Sequence, residues 1–323
     1  MKPSADLLEI IVCSILIFVS CVGNICLFHS TRKCITGHLQ TSFLLMFNLV
    51  LVHLIKNLVV NVMKIVYSSG FMWDSAGCKV LHFTAALTTS LAIWFMLHFA
   101  LFYHRKLYQT VHPLSEVPNL GNQKKSLKVV TALWVTGIAV YSPVLLYMRK
   151  SDHLGAGNET EPMSTKRIYM DCLMDLGNQQ VEFYYGKIFL VLIDILPLAI
   201  LVFVCFWMSS LLLERKEMTY GDIWIGDDDS EIEIIRGAKF SILLIWLITP
   251  LWISHFILVF FLKELADCVF FPAVLTALSS GFSVLSPFLL MLVNYKMKFV
   301  SLCGAKEEKP IVLPANGILS PYT

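Results

Sequence analysis

The chain has 323 residues, 57% of them hydrophobic and 15% charged, with a mean hydropathy of +0.70. That is more apolar surface than a water-soluble core can hide, which excludes an ordinary soluble globular domain. The net charge of +2 is dispersed over loops, and no basic stripe alternates with aromatic residues, so nucleic-acid binding has no support.

A hydrocarbon core about 30 Å thick requires about 20 apolar residues per helix. Seven stretches qualify, at about 7–29, 41–66, 78–103, 127–148, 184–212, 237–262 and 270–293. Only helices or closed barrels satisfy their own backbone in lipid, and barrel strands would be about half as long and would alternate. The expected fold is therefore an all-α membrane protein, a seven-transmembrane helix bundle forming one domain over 1–303. A short inner helix is expected at 295–303, and a tail at 304–323.

The first stretch follows only a few residues, among them Asp6 and Glu9, and lacks a short apolar region with a small-residue cleavage site. It reads as an uncleaved first helix behind a short N-terminus. In the second stretch His53, Lys56, Asn57, Asn61 and Lys64 fall within an arc of about 140° at 100° per residue. One side of that helix must look inward, because ionisable groups in a span face the bundle interior or water. His53 and Asn57 have two readings: a packed polar network joined to Asn24, or groups open to the cavity. Lys64 lies near the outer end, where it either snorkels to headgroups or faces the outer cavity. His82 and Phe83 stand a turn below Cys78 in the third stretch, and Lys187, Asp194, Trp252 and His255 occupy the outer halves of the fifth and sixth.

Orientation follows from Lys and Arg in the short loops. With the N-terminus extracellular and the C-terminus cytoplasmic, the inner segments hold fifteen of the 25 and the outer ones seven, leaving Lys56, Lys64 and Lys187 within helices. Cys13, Cys21, Cys26 and Cys205 then lie at lipid level, where a thiol acts as a small hydrophobe. Cys78, Cys172 and Cys268 face the oxidising side. Cys78 opens the third helix and Cys172 sits in the long outer loop after the fourth, so these two are paired and Cys268 is left over. Asn158-Glu159-Thr160 in that loop is a glycosylation sequon. Cys303 has two readings, a palmitoylated anchor or a plain reduced thiol.

Catalysis is not expected. His53, His82, His98 and His255 are scattered over three helices without metal-ligand spacing, so no metal and no cofactor are expected. Retinal chemistry needs a lysine in the seventh helix, and 270–293 contains none. A transporter would more often show internal repeats or broken helix pairs, and no such symmetry appears.

Several motifs carry a family resemblance. Gly23-Asn24 lies deep in the first helix. "TGHLQTSFLLMFNLVLVHLI", from Thr36 to Ile55, keeps Leu39, Gln40, Leu44, Asn48, Leu49 and Leu54 of a first-loop and second-helix signature. It has Thr41 and Phe43 where proline and aspartate are usual, and His53 where a sodium-binding aspartate is common. "DSAGCKV", from Asp74 to Val80, matches a DxxGCK pattern, with Trp73 just upstream. Ser286-Pro287-Phe288 stands in the seventh helix, and Pro197 and Pro250 fall at the usual kinks of the fifth and sixth. These features resemble vomeronasal type-1 receptors and fish olfactory class-A-related receptors, within the rhodopsin-like G-protein-coupled superfamily. The usual Asp-Arg-Tyr is absent from the third helix. Arg105 stands two positions late, a rotation of about 200°. "FYHRKLYQTVHP" and Asn294 to Lys298 resemble bitter taste receptors instead.

The resemblance implies a multi-pass plasma-membrane chemoreceptor for a pheromone or odorant, coupled to a heterotrimeric G protein of the inhibitory class. The implied ligand site is the outer third of the bundle, with Lys64, His82, Phe83, Lys187, Asp194, Trp252 and His255, and an amphipathic acid is favoured because cations outnumber Asp194 there. The inner switch residues would be Tyr103, Lys106, His112, Pro113 and Arg236. The helix-packing positions would be Gly23, Asn24, His53, Pro197, Pro250 and Pro287. The acidic run Asp227, Asp228, Asp229, Glu231 and Glu233 reads as a solvated loop face or as a determinant of G-protein choice. A bitter taste receptor is the nearer alternative, and a seven-helix membrane enzyme or transporter the more distant one.

Overall fold

The computed structural model describes residues 3–32, 40–71, 74–112, 123–150, 172–174, 177–178, 180–181, 184–185, 190–221, 229–261 and 270–304. Among these, seven helices are long and apolar enough to cross a membrane. The first crossing is α1 (Pro3–Arg32). The second is built from α2 (Gln40–Ile55), a π-helical turn over Lys56–Asn61, and α3 (Val62–Ser68). The third is α4 (Ser75–Val111), the fourth α5 (Gln123–Tyr147), the fifth α6 (Leu190–Gly221), the sixth α7 (Asp229–Phe260) and the seventh α8 (Phe271–Gly304).

The side chains sort as a bilayer demands. On α1, Ile11, Ile15, Phe18, Val22 and Ile25 recur at three- and four-residue spacing and are all exposed. Exposed Phe203, Phe206, Leu243, Trp246 and Ile253 continue this surface on α6 and α7. So much outward apolar area is intolerable in water and costs nothing in hydrocarbon. The protein is a multi-pass helical membrane bundle.

The core lies around α4, which packs against α2, α5, α6 and α7. Ile93, Phe95, Met96, Ala100 and Leu107 of α4 are fully buried against residues such as Leu201, Met208, Leu244 and Ile245. Asp74 starts this helix by accepting the Gly77 N–H at 2.9 Å, filling one of the donors that a helix N-terminus leaves open. One turn on, Cys78 is bonded to Cys172, with Cα atoms 5.7 Å apart. Cys172 opens β2 (Cys172–Met174), which pairs antiparallel with β1 (Met148–Lys150) at the end of α5. The expected pairing is thus present, and it belts the loop after α5 to the start of α4. That end of the bundle is called the disulfide end here.

Several boundaries differ from expectation, the fifth helix running on to Gly221 and the sixth beginning at Asp229. The third crossing runs on to Val111, and α8 continues through Gly304 as one helix rather than breaking into a separate piece at 295–303. No Gly or Pro interrupts the chain between Phe288 and Gly304, so the helical ladder has no reason to stop. The fifth helix is described from Leu190, with Tyr184 and Tyr185 in a separate turn.

Glycine at 23 is required by packing. A Cβ there would meet Phe288 at 2.8 Å and Pro287 at 3.0 Å, so α1 and α8 approach through that gap. Replacing Gly23 by Val is expected to destabilise the detergent-solubilised protein by ~1–3 kcal/mol through overpacking, seen as a lower thermal midpoint. An unchanged midpoint would mean that α1 and α8 do not meet there.

Candidate functional site

Hydrocarbon offers no hydrogen bonds, so each polar side chain of the second crossing must find its partner on a neighbouring helix. The partners form a seam down α8. Lys64 Nζ donates to Thr276 Oγ1 at 2.8 Å. Ser280 Oγ donates to Asn61 Oδ1 at 3.1 Å, and Asn57 Nδ2 donates to Ser283 Oγ at 2.7 Å. Ser286 Oγ and His53 Nδ1 are 2.9 Å apart. Thr276, Ser280, Ser283 and Ser286 recur every three or four residues on one face, matched in antiparallel order by Lys64, Asn61, Asn57 and His53. Asn57 also donates to Ser20 Oγ of α1 and to the His53 carbonyl, both at 2.9 Å, and accepts from Asn61 at 2.9 Å. Asn24 donates to the Ser20 carbonyl and hydroxyl, so the network expected for His53 and Asn57 is present and reaches Asn24 through Ser20.

At the disulfide end the seam closes on a carboxylate that the sequence reading left in the N-terminal segment. Glu9 is buried, accepting from Ser68 at 3.1 Å and from Thr276 at 3.4 Å. Lys64, 3% exposed, therefore does not snorkel. It is held where α1, α3 and α8 meet, and it lies within electrostatic reach of His82 and His255.

Lys56 is placed differently. The π-helical turn begins on this residue, and its side chain points away from the seam to donate to Thr89 Oγ1 of α4 at 2.9 Å. It is 5% exposed and lies midway along the crossing Leu44–Ser68. No carboxylate comes within 4.0 Å of it among the described residues. The nearest acid to act on it is Asp194, which accepts from Tyr141 Oη at 3.3 Å. An ammonium at mid-depth costs about 3 kcal/mol, and a membrane hydrogen bond returns about 1 kcal/mol, so the Thr89 contact alone does not offset it.

The other expected site residues divide into groups. His82 and Phe83 are half-buried on α4, and His255 is half-buried on α7 beside Phe256. His82 Nε2 and His255 Nδ1 are buried nitrogens with no hydrogen-bond partner. Trp252 is fully buried with its ring 4.5 Å from Phe282, which stands 4.7 Å edge-on to His53, so the floor of this region touches the seam. Lys187, Asn158, Cys268 and Pro113 lie outside the described residues, as do the side chains of the acidic run and of Cys303. Pro197 lies within α6 and Pro250 within α7.

At the opposite end, Tyr103 is buried against Phe99 and Phe102, and a Cβ on Gly237 of α7 would overlap its ring. Lys106 Nζ lies 5.0 Å above the Phe102 ring, Arg236 is half-buried beside Gly237, and Arg105 is exposed. His112 Nε2 and Glu214 Oε1 stand 3.7 Å apart, joining α4 to α6. Of the residues expected as an inner switch, Tyr103, Lys106, His112 and Arg236 lie where α4, α6 and α7 converge.

A separate cleft of about 360 Å³ opens between α4, α5 and α6, lined by Leu91, Trp94, Gly137 and Tyr141. It is apolar and lies away from the seam. Among the described residues no group of three His, Cys, Asp or Glu side chains could hold a metal. No protein-family model matches the chain, and no curated protein matches it.

Sequence reasoning missed Glu9, Thr89 and the hydroxyl row on α8. The row had a readable signal, since its spacing mirrors that of the second crossing. Replacing Asn57 by Leu removes four hydrogen bonds at once and is expected to lower stability by ~2–3 kcal/mol. Asn24→Leu, which loses bonds only within its own helix, should cost less. Thermal unfolding of the purified variants checks the order, and equal effects would place the seam's weight elsewhere.

Proposed function

We propose that this protein is a chemosensory G-protein-coupled receptor of the plasma membrane, of the vomeronasal type-1 or olfactory class-A-related kind. The N-terminus faces outward and a small organic ligand enters from the disulfide end. The observation that carries this reading is the Cys78–Cys172 bond, which ties β2, paired with β1 at the end of the fourth crossing, to the start of the third. Buried Lys56 and Lys64 and the unpartnered ring nitrogens of His82 and His255 supply fixed polar points for such a ligand, and Trp252 and Phe83 supply apolar surface. A cavity with apolar walls and a few fixed polar points is what small organic ligands need.

Output is a population shift between two arrangements of the helices at the opposite end. The contacts of Tyr103 with Gly237 and of His112 with Glu214 hold α4, α7 and α6 together there. Ligand binding that favours their separation opens a cleft for a heterotrimeric G protein of the inhibitory class, with Lys106 and Arg236 at its rim. Asn158 carries glycan on the outer face.

Expressed in a heterologous cell with a G-protein reporter, the wild type should respond to at least one member of a panel of steroids, aromatic acids and bitter compounds. His82→Ala and His255→Ala should each shift the half-maximal concentration upward by about tenfold, the equivalent of one lost hydrogen bond to a charged group. A second measurement addresses topology: Asn158→Gln should abolish a glycosidase-sensitive shift in mobility, and tags on the two chain ends should lie on opposite faces. Both ends on one face, or no coupling across the whole panel, would end the receptor reading.

A further inference from the structure

Lys56 and Lys64 sit two turns apart on the same crossing, yet their surroundings are opposite in kind. Lys64 shares Thr276 with the Glu9 carboxylate, so negative charge and a hydroxyl stand ready on α1 and α8. Lys56 has three donor protons and one neutral acceptor, Thr89. Its burial is nearly complete, and no carboxylate is within ion-pair distance among the described residues. Thr89 spends its own proton on the Ala85 carbonyl at 2.8 Å, which leaves its lone pair directed at Lys56 and fixes the ammonium against α4. The π-helical turn is what aims it there. Lys56 turns toward α4 while its neighbour Asn57 turns into the α1 and α8 seam. Such turns inside helices are frequent at functional sites.

Unpartnered buried nitrogens include His82 Nε2 on α4 and His255 Nδ1 on α7, besides His53 Nε2 at the seam and His104 Nε2 further along α4. His255 stands within electrostatic reach of both lysines, and His82 within reach of Lys64. What the Lys56 ammonium lacks among the described residues is an anionic acceptor. Asp194 does not supply it, since its carboxylate is occupied with Tyr141 of α5 and lies beyond ion-pair distance.

We propose that Lys56 is the anchor for an organic monoanion, whose carboxylate or sulfonate completes the shell of the ammonium at mid-depth while its apolar body lies toward Trp252 and Phe83. The inference rests on the reading of this interior as a ligand site, and it does not depend on coupling to a G protein. It also separates the roles of the two lysines, with Lys64 bracing the helices and Lys56 receiving the ligand.

The test uses the purified full-length protein in nanodiscs, without any G protein, followed by thermal unfolding. The probes are benzoate, phenylacetate, octanoate and benzenesulfonate at millimolar concentration, each beside its neutral amide. At least one acid should raise the wild-type midpoint while its amide does not, because binding to the folded state alone stabilises it. That shift should vanish in Lys56→Met and in Lys56→Gln, and persist in Lys128→Gln, where the substituted lysine is exposed at the other end of the bundle. Without any ligand, Lys56→Met should melt higher than the wild type by ~3 °C, as expected when an under-satisfied functional charge becomes an apolar side chain. If Lys56→Met does not fold, Lys56→Gln carries the same loss of shift. The proposal is overturned if no acid stabilises the wild type, if the shift survives in either Lys56 variant, or if Lys56→Met melts lower than the wild type. Acid binding without signalling in cells would leave the anchor standing and remove the receptor reading instead.

Discussion

Hydrocarbon cannot accept or donate a hydrogen bond, and the second crossing carries two lysines, three asparagines and a histidine through it. Every other feature of the bundle answers to that demand. The polar face cannot turn outward, so α1, α4 and α8 close over it and supply hydroxyls, amides and one carboxylate at the required heights. Ser20, Thr276, Ser280, Ser283 and Ser286 are all buried because they are the partners of this face. Small side chains suit the task, since a serine or threonine brings an oxygen without holding the helices apart.

The seam then settles where freedom is left. Between the second crossing and α8 each polar group of the row is met in register, and Gly23 lets Pro287 and Phe288 press α8 against α1. That side of the bundle is a rigid wall. Lys56, facing α4, and the histidines His82 and His255, on α4 and α7, are outside the wall and incompletely met. The magnitudes decide the contrast: a buried ammonium costs about 3 kcal/mol, and one neutral hydrogen bond returns a fraction of it.

The opposite end is built from different contacts. There the meeting of α4, α6 and α7 includes a ring seated over a glycine and a 3.7 Å contact between His112 and Glu214. These are weaker ties than the seam.

Seven crossings were legible along the chain because hydropathy and length are properties of one segment at a time, and the bilayer sets a fixed scale for both. The inward side of the second crossing was legible for the same reason, since Lys56, Asn57, Asn61 and Lys64 share an arc whatever their partners. Sidedness narrowed the outer thiols to Cys78, Cys172 and Cys268, and the places of Cys78 at the start of the third helix and Cys172 in the long loop selected the pair. The identities of the partners were not available, because they depend on the relative rotation and height of helices far apart in sequence. Asn57 meets Ser283 across more than two hundred residues. The burial of Glu9, the separation of Lys56 from Lys64 by the π-helical turn, and the seating of Tyr103 on Gly237 were decided only when the helices packed. Each depends on a distance between side chains, and no periodicity along a single helix encodes such a distance.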